Sequence, residues 1–128
     1  MNWNRIRWGV IFCLLAVILG AFGAHALEAL LSPDSLDSFK TGVRYQFLHG
    51  ITLLFLGLLS QQVQSALLDW GARLFIAGTI LFSGSIYLLT CRDILPIENV
   101  SWAGPITPIG GTLLIVGWAL LLVLTFRK

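Results

Sequence analysis

Apolar positions along this chain gather into four long runs separated by short polar stretches. A helix needs about 20 mostly apolar residues to cross a hydrocarbon core, and the runs at about 8–30, 40–60, 70–90 and 105–126 meet that length or nearly so. The first carries no charge until Glu28, whereas the second has a polar leading half that includes Arg44, Tyr45, Gln46 and His49. The connections are too short to hold a soluble domain, so residues 1–128 read as a single all-α unit, an integral membrane four-helix transmembrane bundle.

Composition strengthens that reading. Hydrophobic residues make up 57% of the 128 residues and charged residues only 11%, which leaves too little polar surface for a soluble domain of this size. The lipid bilayer is therefore the expected surrounding. A net charge of +2, with no basic cluster longer than two residues at either terminus, sets nucleic acid aside as a partner.

Ala24-His25-Ala26 comes after a basic and then apolar segment, the pattern with which a secretory signal ends. The apolar run is longer than the ~7 to 15 residues of a signal core, and three further spans come after it. The segment is read as a retained helix. With four crossings both termini share one side, which then carries Arg5, Arg7, Arg73, Arg127 and Lys128 against Lys40, Arg44 and Arg92 on the other. That excess predicts cytoplasmic termini. Trp3, Trp8 and Trp70 fit an aromatic belt on the terminal side, and Tyr45, Tyr87 and Trp102 fit one opposite. Trp118 falls inside the fourth span and is given no special meaning. Cys13 and Cys91 belong to opposite ends of the bundle, too far apart for a disulfide, and read as packing residues.

Lipid tails give helices no hydrophobic reason to associate, so close packing has to come from small residues. They recur at four- or seven-residue spacing: Ala16, Gly20 and Ala24 on the first helix, Gly50 and Gly57 on the second, and Gly71, Gly78 and Ser85 on the third. On the fourth, Gly104 pairs with Gly111 and Gly110 with Gly117. A compact left-handed bundle is expected. Ser32-Pro33-Asp34 offers a cap with proline at the first helical position, leading through an amphipathic turn into the second span. Pro96, Pro105 and Pro108 make the last connection irregular, and Asp69 with Arg73 reads as an interfacial i, i+4 pair at the start of the third helix.

The chemistry-bearing candidates lie in the first hairpin. At 100° per residue His25 and Glu28 point the same general way, and His49 shares a face with Tyr45 and Gln46. If the two antiparallel helices bring the histidines together, His25, Glu28, Tyr45, Gln46 and His49 form a polar cluster inside the membrane. Lys40 and Arg44 lie off that face and are expected to snorkel to the interface. A neutral histidine can also fix helix register through hydrogen bonds at both ring nitrogens, with no chemistry at all. The proton-linked reading rests on titration of histidine near neutral pH. No H-E-x-x-H, cysteine cluster or serine with a base supports a metal site, a haem or a hydrolase, so no metal, cofactor or enzymatic activity is expected.

"LGAFGAHAL" at 19–27, "TGVRYQFLHG" at 41–50, "LFSGSIYLL" at 81–89 and "TPIGGTLLIVGW" at 107–118 resemble, in order and spacing, the YgdD/YwdK family of small multi-pass membrane proteins, a domain-of-unknown-function family. The resemblance touches all four spans. It implies a bacterial inner-membrane protein, with related small membrane proteins in eukaryotes, and no established activity. The family elements fall on Gly23, Ala24 and His25, on His49, on Ser83, Gly84, Ser85 and Tyr87, and on Pro108, Gly110 and Gly111. The leading expectation is a structural or interaction module or accessory subunit, partnered by a second copy or by another membrane protein. The alternative is a small proton-linked transporter or solute-binding protein using His25, Glu28 and His49; a carboxylate deep in the first helix, as in small multidrug-type transporters, is absent from residues 9–24.

Overall fold

A computed structural model describes residues 1–94 and 99–127. Pro96, assigned to the irregular last connection, and Lys128, counted toward the charge of the terminal side, lie outside the described residues. The chain forms four long helices: α1 (Trp3–Leu27), α2 (Pro33–Leu59), α3 (Ala66–Thr90) and α4 (Ile106–Thr125). All four are long and apolar enough to cross a membrane. A short 3₁₀ turn, Ser101–Ala103, precedes α4.

Capping chemistry sets the helix starts, and it moves two of them outward from the apolar runs. The Arg5 N–H donates to Asn2 Oδ1 at 3.2 Å, so α1 begins at Trp3 rather than near Trp8. The Ser35 N–H donates to Ser32 Oγ at 3.2 Å with Pro33 behind the cap, and α2 then continues unbroken to Leu59 instead of starting near residue 40. Ser65 Oγ accepts from the Leu67 N–H at 3.2 Å and starts α3. α1 ends at Leu27, which leaves Glu28 in the turn between the first two helices.

Between Leu19 and Gly23 the hydrogen bonding of α1 widens to a π turn. Such a turn inserts about one residue and rotates the remainder of the helix by roughly 100° relative to a regular one. His25 therefore leaves the face that even spacing assigns to it.

Each helix packs along the next in the chain, while α1 and α4 do not pack along one another. α2 and α3 form the centre and α1 and α4 flank it, with exposed apolar side chains on their outer sides. α1 and α2 approach closely, so that a methyl group on Gly9 would lie 2.7 Å from the Gly50 carbonyl oxygen and one on Gly50 would lie 2.7 Å from Cys13 Sγ. Farther down, the Asn2 N–H donates to the Gly57 carbonyl at 3.0 Å. Gly78 fits against Leu114 and the Gly110 carbonyl, Gly117 against the Phe75 ring, and Gly110 against the Phe82 backbone. Gly20 meets only Val43 Cγ1, at 3.3 Å, and Gly111 has ordinary room, so these two constrain packing less than their neighbours do. Ala24 is buried in a small cluster with Phe39 and Cys91 at the end away from the termini. The main core, Phe12, Leu53, Leu56, Leu68, Ala72, Phe75 and Leu114, draws on every helix.

Candidate functional site

The buried polar side chains are Arg5 at the terminal face and Gln46, His49, Thr79, Ser83 and Ser85 within the bundle. Gln46, at the middle of α2, is 6% exposed; its Nε2–H donates to the Phe12 carbonyl at 2.9 Å and its Oε1 accepts from the Tyr87 hydroxyl at 2.7 Å. One side chain thereby ties α1, α2 and α3 together. The Ser83 hydroxyl donates to the Gly42 carbonyl at 2.7 Å, joining α3 to α2. Ser85 and Thr107 share a hydroxyl contact of 2.6 Å that joins α3 to α4.

His49 completes the set. It is 5% exposed and packs against the rings of Phe75 and Trp118. The Trp118 indole N–H lies 3.1 Å from His49 Nε2, and His49 Nδ1 lies 2.8 Å from the Tyr45 carbonyl. An indole nitrogen only donates, so Nε2 must be the acceptor and the proton belongs on Nδ1, which donates to the carbonyl one turn back. The imidazole is neutral with both nitrogens occupied. Trp118, given no meaning by its sequence position, is thus the partner that holds the second histidine.

The cluster expected from the sequence separates into two parts. Tyr45, Gln46 and His49 stand together, with Tyr45 stacked on His49 and half turned outward beside Phe82. His25 and Glu28 are exposed near the first turn. Because Gly23 stands against Phe39, His25 lies opposite the beginning of α2, about 12 residues or roughly 18 Å along the axis from His49 at 1.5 Å per residue. The two histidines do not face each other. Among the described residues no three His, Cys, Asp or Glu side chains are grouped to hold a metal ion. Both cysteines are free thiols.

Beside His49 a groove of about 310 Å³ opens between α2 and α4, lined by Tyr45, His49, Phe82, Gly111, Leu114, Ile115 and Trp118. A second cavity, about 410 Å³ and almost wholly apolar, lies between α1 and α3 above Phe39, Gly84 and Tyr87. Arg5 is buried at the terminal face and bonds Asp69 on α3. That contact replaces the expected Asp69–Arg73 pair: α1 and α3 run parallel, so their first turns are neighbours, while Arg73 lies over the Trp70 ring at 5.0 Å. Lys40 and Arg44 are not buried.

The family model described as "Protein of unknown function (DUF423)" matches residues 19–111. A UPF0382 membrane protein of Staphylococcus aureus (strain bovine RF122 / ET3-1) is 40% identical over 93% of this chain and 92% of its own. UPF0382 membrane proteins of Staphylococcus haemolyticus and Staphylococcus saprophyticus are 38% and 41% identical, each over 93% of this chain and over 92% and 93% of their own. No solved structure matches the chain. With a match that reaches all four helices and relatives of the same extent, the chain belongs to the DUF423 family and is a multi-pass helical membrane protein.

Proposed function

We propose that this protein is a structural or interaction module of the bacterial inner membrane, an accessory subunit rather than an enzyme, with both termini in the cytoplasm. One observation carries the reading. Of the buried polar side chains inside the bundle, Gln46, His49, Ser83 and Ser85 each make a bond to another helix; the buried polar atoms without a partner among the described residues are Thr79 Oγ1 and, at the terminal face, Arg5 Nη1. Polar groups at this depth that carry protons or solutes have to exchange partners, whereas these are committed to helix contacts. The outer faces of α1 and α4, with Leu14, Phe22, Ile115 and Leu122 exposed, are then the surfaces available to a second copy or to another membrane protein.

A photo-crosslinking side chain at Phe22 or at Ile115, activated in native membranes, tests this. A discrete protein adduct from one of the two faces is the expected result. No adduct from either face, together with a pH-dependent flux in proteoliposomes that His49→Ala abolishes while the folded amount is unchanged, would overturn it in favour of a small proton-linked transporter.

A further inference from the structure

At the face that carries both termini, two cavities of about 330 and 270 Å³ flank the Arg5 side chain. Asn2, Arg5 and Asp69 line both; the first extends to Ser60 and Gln64, and the second to Asn4 and Arg73. We propose that the second of these cavities, the one lined by both arginines, is a site for one phosphate group held by Arg5 and Arg73.

Three independent features converge there. Arg5 is only 7% exposed, and while its Nη2 donates to Asp69, its Nη1 is buried with no hydrogen-bond partner. A guanidinium has five N–H donors in a fixed fork, so one edge can stay on Asp69 while the other takes an anionic oxygen. An unpaired cationic donor in a buried position is costly, and a phosphate oxygen relieves that cost. Second, α1 and α3 are parallel and both begin at this face, so two helix N-termini bring their positive dipole ends to the same place. Third, the charged side chains lining the two cavities are Arg5 and Arg73 against Asp69, and Asp69 is already paired and half exposed. The balance is positive. Trp3 and Trp70, next in sequence to Asn2 and Asp69, are exposed, as residues of an aromatic belt are.

A phosphate at this depth comes either from an anionic phospholipid or from a free solute, and the test separates the two. The purified full chain in mild detergent is offered phosphatidylglycerol, diacylglycerol as its phosphate-free counterpart, or inorganic phosphate alone, and retained molecules are counted by native mass spectrometry. Retention of one phosphatidylglycerol but no diacylglycerol is expected. Loss of one charge-assisted hydrogen bond in Arg73→Gln, a change at an exposed side chain, should weaken retention by about tenfold or more. Arg5→Gln should weaken it at least as much, and Asp69→Asn, which removes the competing carboxylate, should strengthen it. A merely structural Arg5–Asp69 pair does not produce that opposite sign. Retention of inorganic phosphate without phosphatidylglycerol supports the site and assigns it to a solute. Retention of neither, or equal retention by wild type and Arg73→Gln, overturns the proposal even if Arg5→Gln does not fold.

Discussion

His49 and His25 differ in what surrounds the same imidazole. His49 is enclosed by Tyr45, Phe75 and Trp118 and has both nitrogens bonded, whereas His25 is exposed beside the first turn. Nitrogen-15 spectra of the detergent-purified protein should show the Nδ1–H tautomer at His49, and Trp118→Phe should shift the Nε2 resonance alone. His25→Ala and Glu28→Gln should leave stability within about 0.5 kcal/mol, as surface changes usually do. His49→Ala removes the acceptor of a half-buried indole and opens a void beside Phe75, and should cost about 1–3 kcal/mol in reversible unfolding. Equal losses at the two histidines would contradict the separation of their environments.

At the scale of the helix, two adjacent glycines on α4 do different work. A methyl group at Gly110 would overlap the Phe82 backbone, which cannot swing aside, while one at Gly111 would lie 3.6 Å from the edge of the Phe82 ring. Gly110→Ala should therefore destabilise the α3–α4 contact by about 1–3 kcal/mol, the usual cost of overpacking. Gly111→Ala should be neutral or stabilising by up to about 1 kcal/mol, because alanine is the better helix former. Thermal unfolding of the two variants side by side reads the difference. Their order is set by which glycine faces α3, and spacing leaves that open because both fall in seven-residue pairs.

For the whole molecule, four antiparallel crossings put the α2–α3 connection on the face of the termini and the α3–α4 connection on the other. In a background with Cys13 and Cys91 replaced by alanine, a membrane-impermeant thiol reagent on intact bacterial cells should label Asp93→Cys and not Gln62→Cys; inverted vesicles should reverse the pattern. Labelling in the opposite sense would place the termini outside and would move the Arg5 cavities to the external headgroup layer.

Helix number, the membrane setting and the small residues at helix contacts were legible in the linear pattern, because the bilayer imposes a span length and closely packed helices demand small side chains wherever they meet. Gly50, Gly57, Gly78, Gly110 and Gly117 all stand at such meetings. Gln46 and His49 were legible as polar groups too deep in a span to be idle. Their partners were not. The short first turn, centred near residue 30, already pairs the end of α1 with the beginning of α2 and keeps His25 from His49, although only the assembled hairpin makes that register plain. The π turn at Leu19–Gly23, the buried Arg5 with its bond to Asp69, and the Trp118–His49 contact have no local signature. Each depends on which helices become neighbours and at what height. The sequence by itself thus determined which segments enter the membrane and which residues can lie close together; only the tertiary structure decided which polar groups meet, because in lipid a polar side chain bonds whatever partner the packing of small residues brings to its depth.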